Sequence, residues 1–148
     1  MRNPALSKDN IYMQMARAAS KLSTCERAHH GAVITVDDRV VGIGYNGAAN
    51  GLPHCADVGC HISTDSDRCE RSIHAETNAL VNAARPVKGG TIYVTGEPCE
   101  RDAVLLVQAG VARVVVGTGL TYFVDNKALR KEVKSWYSLA NIRFDILA

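Results

Sequence analysis

Strands alternating with helices are the feature that most limits how this chain can fold. The apolar run at 113–117 follows a helical stretch over 98–110, which follows a β-rich run at 91–95. A further helical pattern over 126–139 leads to a last strand at 143–147. Upstream, apolar runs at 31–36 and 40–44 flank Asp37-Asp38, a hairpin signal although the pair is not the favoured Asn-Gly or Asp-Gly. Residues 7–23 predict a first helix, with Ile11, Met15, Ala18 and Leu22 on one face. Residues 73–84 predict another, ending near Pro86 and Gly89-Gly90, and Pro98 is expected to open the helix after 91–95. This order predicts a three-layer α/β/α sandwich around one mixed sheet of about five strands. No repeat or linker divides residues 1–148, so one domain is expected.

Segment 48–71 breaks the pattern. It is rich in Gly, Asp, Ser, His and Cys and has no apolar periodicity. So long an aperiodic stretch is expected to be functional or tied down.

Composition removes several function classes. With 47% hydrophobic and 22% charged residues the chain is globular rather than disordered. A net charge of +2 is too small for a protein that coats nucleic acid, though it permits a site for one anionic small molecule. No apolar run approaches the ~18 residues of a membrane span. The start, MRNPALSKDNIYMQ, lacks the apolar stretch of a signal peptide. The expectation is a cytoplasmic chain with neither a membrane nor a nucleic-acid partner. Its five cysteines would stay reduced there, as metal ligands, nucleophiles or buried small side chains.

The chemistry centres on His74-Ala75-Glu76 at a helix start and Glu97-Pro98-Cys99 at the next. Singly these are weak signals, because a lone His or a lone buried Cys is usually structural. Together they match the H-x-E…P-C-x-x-C signature of zinc deaminases, in which His and Cys hold the metal and the Glu moves protons without ligating. The spacing has a mechanical reason. A helix start lowers a thiol's pKa and favours the thiolate that zinc needs. Asp102, three residues beyond Cys99, shares its face. Two helix N-termini side by side would converge His74 and Cys99 on one cation within reach of Glu76.

Beyond that signature the chain resembles the deoxycytidylate deaminases of the cytidine/deoxycytidylate zinc-dependent family. The resemblance runs through CERAHHGAVI, GIGYNG, HCADVGC, RCERSIHAETNA and TIYVTGEPC followed by LLVQAGVARVV. The tail after Thr118 offers no comparable match. The resemblance implies a cytidine-deaminase-like fold and hydrolysis of dCMP to dUMP with release of ammonia. It implies a catalytic zinc on His74 and Cys99, with Glu76 as proton carrier and the backbone N–H of Ala75 against the ring.

One position departs from the pattern, since Asp102 stands where the family has a second Cys. Two readings remain open. Asp102 ligates zinc, as carboxylates do; or it is an acidic residue favoured near a helix N-terminus and the metal site is impaired.

Asn46, in a Tyr-Asn-Gly turn, is either turn chemistry or the deoxyribose contact the resemblance implies. Arg27 is a candidate for the 5′-phosphate and otherwise a solvated cation. Tyr122 is a candidate to stack on the base. Cys25, Cys55, Cys60 and Cys69 resemble the ligands of a second, structural zinc; His54 or His61 could replace one of them, and independent reduced cysteines are the alternative.

Similar enzymes are commonly hexamers, and some respond to dCTP and dTTP near the GYNG segment. Here GYNGAANG lacks the proline that often follows the motif. The competing functions are deamination of dCTP or a modified dCMP, a non-catalytic metal-bearing nucleotide module, and polynucleotide deamination.

Overall fold

The predicted hairpin forms, and its turn explains the unusual residue pair. In the computed structural model, which describes residues 3, 6–65, 69–118 and 127–147, α1 (Lys8–Ser20) precedes β1 (Gly31–Val36) and β2 (Arg39–Tyr45). Asp37 and Asp38 join the two strands with φ of 51° and 59°. Two positive φ angles in a row twist a hairpin in the sense its strands need, and short polar Asp tolerates the left-handed region that Asn-Gly usually fills.

After the hairpin come β3 (Gly47–Ala48), α2 (Cys55–Val58), β4 (Ser72–Ile73), α3 (Ala75–Val81), β5 (Thr91–Val94), α4 (Glu100–Ala109), β6 (Arg113–Gly117), α5 (Lys127–Leu139) and β7 (Arg143–Leu147). Five strands share one sheet in the order β2-β1-β5-β6-β7. β1 is antiparallel to both neighbours, whereas β5, β6 and β7 run parallel through the α4 and α5 crossovers. This is the mixed five-stranded sheet expected.

Both faces of the sheet are buried. Ile34, Ile92, Val94, Val114 and Val116 face Ala75, Ala79, Leu106, Val133 and Tyr137 of α3, α4 and α5. The alternate residues Val33, Tyr93 and Val115 face Met13 and Ala16 of α1. A sheet covered on both sides has no polar face to alternate with, hence the unbroken apolar run at 114–116. No described helix is long and apolar enough to cross a membrane.

Three local expectations are corrected. The buried side of α1 is Met13, Ala16, Ala19 and Ser20, while Ile11 and Leu22 stay exposed. The reason is proximity. A Cβ on Gly31 would lie 1.9 Å from the Ala16 carbonyl oxygen, so only a face of small residues can lie that close to β1. Pro98 sits outside α4 rather than in its first turn, because Cys99 is the N-cap with extended backbone. The second predicted helix is also shorter than 73–84, since Ser72 and Ile73 pair with Gly47 and Ala48 as β4 on β3.

That small sheet closes the two ends of the aperiodic segment. Within the segment, α2 and a bridge between Ile62 and Cys69 supply the local order.

At the N-terminal end of the parallel strands, Arg113 clamps three elements. Its guanidinium gives two hydrogen bonds to Asp9 of α1, at 2.8 and 2.9 Å, and one to Asp145 of β7 at 2.6 Å. The Tyr93 hydroxyl donates to the same Asp9 at 2.8 Å. The Arg113 fork holds the Asp9 carboxyl below the usual carboxylate range. A depressed folded pKa means the stabilisation is complete above the unfolded value of about 4 and is lost as pH falls through the folded one. Asp9→Asn is therefore expected to lower stability by about 1–2 kcal/mol at pH 7, partial exposure screening the pair. In urea melts the gap between variant and parent should narrow as pH is taken from 6 towards 3.

Candidate active site and metal centres

Two helix N-termini meet at the C-terminal end of β5. His74 is the N-cap of α3 and Cys99 the N-cap of α4, both with extended backbone, and neither side chain caps its own helix. The residues usually found at such positions turn a side-chain oxygen back onto the helix N–H groups. Here the imidazole and the thiol are turned towards each other.

The position of α3 is set by glycines. Gly42 and Gly44 lie two apart on β2, so they share a face, and α3 rests directly on it. A Cβ on Gly44 would lie 2.3 Å from the Ala75 carbonyl oxygen and 2.4 Å from the Ala79 nitrogen. The GIGYNG segment thus brings the first turn of α3 down to the sheet.

His74, Cys99 and Asp102 converge. His74 Nδ1 is 2.7 Å from Asp102 Oδ2, Cys99 Sγ is 3.0 Å from the same oxygen, and Sγ to Nδ1 is 3.6 Å. A tetrahedral zinc with bonds of about 2.0–2.3 Å holds its donors roughly 3.3–3.7 Å apart. These three therefore fit after spreading by at most about 1 Å, with a fourth position left over.

Asp102 is 2% exposed and Glu76 5%, whereas the His74 side chain is 43% exposed. The site is thus a buried acidic floor open on the imidazole side. The Asp102 and Cys99 hydrogen bonds push His74 up to about 11. Burial, then the Asp102 charge, push Glu76 up to about 8. Burial works against the Asp102 carboxylate, but its bonds to His74 prevail and keep it below the ordinary range.

The remaining predicted residues divide. Ala75 is wholly buried in the first turn of α3. Asn46 is buried, without positive φ, so it is not there for turn chemistry. Its side-chain oxygen accepts from the His30 N–H and its NH2 donates to the Ala28 carbonyl, both at 2.8 Å. Arg27 is exposed. Tyr122 lies outside the described residues.

Of the four other cysteines, Cys55, Cys60 and Cys69 bring their sulfurs within 4.8 Å of one another. Cys25 stands outside that trio, although its charge is felt at Cys60. Its segment is joined to theirs by the Ala56 N–H donating to the Thr24 carbonyl at 3.2 Å. Burial pushes Cys55 up to about 12. Burial also opposes the Cys69 thiolate, but backbone contacts from His61, Arg71 and Ser72 outweigh it and hold its pKa down. His54 is hydrogen-bonded to the Thr24 hydroxyl at 3.0 Å, and neither His54 nor His61 joins the trio.

Sequence reasoning missed His30, whose ring lies over Gly96 and 3.4 Å from the Thr95 hydroxyl. Burial, and then the nearby His74, hold its pKa down. Its only sequence signal is the His29-His30 pair just before β1.

A partly buried group of one imidazole, one thiol and one carboxylate is a donor set that fits a divalent metal. Residues 6–118 match the cytidine and deoxycytidylate deaminase zinc-binding region, and the chain belongs to that family. It is 38% identical over 112 residues to ComE operon protein 2 of Bacillus subtilis, covering 74% of this chain and 58% of that protein. It is 38% identical over 118 residues to the deoxycytidylate deaminase of Mycobacterium phage D29, covering 72% of this chain and 91% of the phage protein. The chain thus spans less than two thirds of the first relative's length and nearly all of the second's. The dCMP deaminase of cyanophage S-TIM5, solved in complex with dCMP and dUMP, shares the fold with a TM-score of 0.77. That match covers 99% of this chain and 100% of the phage chain at 22% identity.

Asn46→Ala would strand the His30 N–H and leave the Ala28 carbonyl with only the longer bond from the Ser23 hydroxyl, at 3.4 Å. A loss of about 2–4 kcal/mol is expected, read as a fall in melting temperature of roughly 5–15 °C.

Proposed function

We propose that this chain hydrolyses dCMP to dUMP and ammonia, supplying a thymidylate precursor. The observation that carries the proposal is the convergence of His74, Cys99 and Asp102 beside the buried Glu76. The phage relative named a deoxycytidylate deaminase supports the choice of substrate. His74, Cys99 and Asp102 would hold the catalytic zinc. That ion supplies Lewis acidity and makes a nucleophile of water at neutral pH.

Glu76 has no place among the three donors, and a bound cation beside it would oppose the burial and the Asp102 charge that raise its pKa, so its carboxylate is left to take a proton from the attacking water. It delivers that proton to the ring nitrogen and later protonates the departing amine. One water is consumed, oxygen stays on C4 and ammonia leaves. The Ala75 N–H, in a helix turn without intrahelical partners, serves the ring. Asn46 meets the deoxyribose from the pose its backbone bonds fix, Arg27 the phosphate and Tyr122 the base.

The same proposal makes residues 1–148 one cytoplasmic deaminase domain. It places a structural zinc on Cys55, Cys60 and Cys69, with Cys25 as fourth ligand. It extends to a homo-oligomer, a hexamer by family resemblance, and to dCTP and dTTP as effectors. Val104 and Leu105 of α4, 54% and 43% exposed, support a self-association surface.

Glu76→Gln should keep near-parental zinc while ammonia release from dCMP falls by roughly 10²–10⁴-fold. A variant with an unchanged rate would remove Glu76 from the reaction, and a parent more active on dCTP than on dCMP would overturn the substrate.

Metal analysis should return about two zinc ions per chain. Cys69→Ser should lose one and melt earlier while keeping most activity at low temperature. A single zinc together with an unaltered melt would refute the structural site.

A further inference from the structure

We propose that Thr77 is a positioning residue that makes Asp102 serviceable as a zinc ligand, so that the two act as a unit. This rests on the reading above that Asp102 holds the metal. The carrying observation is that Thr77 Oγ1 donates to Asp102 Oδ1 at 2.9 Å, while Oδ2 faces His74 and Cys99.

A thiolate offers a metal one atom, but a carboxylate offers two. At a site where Asp102 is 2% exposed, water is not at hand to satisfy the second oxygen. Left bare, Oδ1 would either remain desolvated or turn in to chelate, taking the position that substrate chemistry needs. Thr77 closes both routes. It fills Oδ1, fixes the carboxylate's rotation and leaves Oδ2 as the only ligand atom.

The alternative for such a hydroxyl is local. Threonine in a helix commonly turns its oxygen to the carbonyl of the preceding turn. Thr77, the third residue of α3, instead reaches across to α4. It therefore ties together the helices that carry His74 and Cys99, and it does so only through the carboxylate. A cysteine at 102 would have no second atom for Thr77 to hold.

The test is zinc affinity, measured by chelator competition. The zinc whose binding Asp102→Ala weakens defines the site being read. Thr77→Val keeps the shape and removes the donor, and it should weaken zinc by roughly 10–100-fold, as loss of a ligand's supporting hydrogen bond does. Thr77→Ser, which retains the hydroxyl, should restore near-parental affinity. In an Asp102→Cys background, Thr77→Val should change affinity by less than about twofold, because the coupling is gone. Thr77→Ala gives the same comparison should the valine variant not fold.

Equal losses in the Asp102 and Asp102→Cys backgrounds would make Thr77 merely structural and overturn the proposal. So would unchanged zinc in Thr77→Val when Asp102→Ala has lost it. If Asp102→Ala itself keeps parental affinity, the ligand reading fails and takes the proposal with it.

Discussion

The site depends on how closely α3 can lie on β2. Glycines at 42 and 44 leave no side chain between helix and strand, and the helix backbone takes that space. Any Cβ there would lift the first turn of α3 and carry His74 and Glu76 outward. Cys99 and Asp102 would not follow, because they are placed from the other side by β5 and α4. Donor separations of 2.7–3.6 Å are thus the outcome of two independent packings that agree. Close-packed interiors offer little slack for such an agreement to drift.

Asp102 changes the electrostatics of that meeting point. In the family pattern a second thiol occupies this place, whereas here a carboxylate lies beside Glu76 under the same imidazole. The surroundings meet the extra demand with hydrogen bonds. Three side chains from two helices address its two oxygens, a number that a sulfur at this position would not need. A substitution that looks isolated in the sequence is embedded in a local network in three dimensions.

Much of this was legible in the sequence, and what was not has physical reasons. Central parallel strands buried on both faces show as apolar stretches, so 92–94 and 114–116 were plain. The edge strand at 143–147, half-exposed and carrying Asp145, was legible only from its place after a helix. The zinc signature placed His74 and Cys99 on successive helix starts because a local motif fixes a local backbone. The face of α1 was misjudged because periodicity counts large apolar residues, whereas the contact with Gly31 selects small ones. Pro98 was misplaced by two residues because cap geometry is not visible in residue type alone. Thr77 and His30 were illegible for a different reason. Their partners, Asp102 and Thr95, are 25 and 65 residues away in the chain. Cys25 and the cysteine trio lie between these cases: the residue type was informative, but the convergence of three sulfurs was not.

The Arg113 clamp has a consequence for how the molecule could change over time. It binds α1, β5 and β7 at the start of β6, while His74 and Cys99 gather beyond the far end of β5, about 10 Å or more along the strands. Sites so separated contribute to folding almost additively. A loss of stability at the catalytic end can therefore be offset at the clamp without disturbing any reacting group. Such a division lets the end that carries Asp102 in place of a second cysteine accept unusual residues, while the opposite end keeps the fold above its threshold for survival.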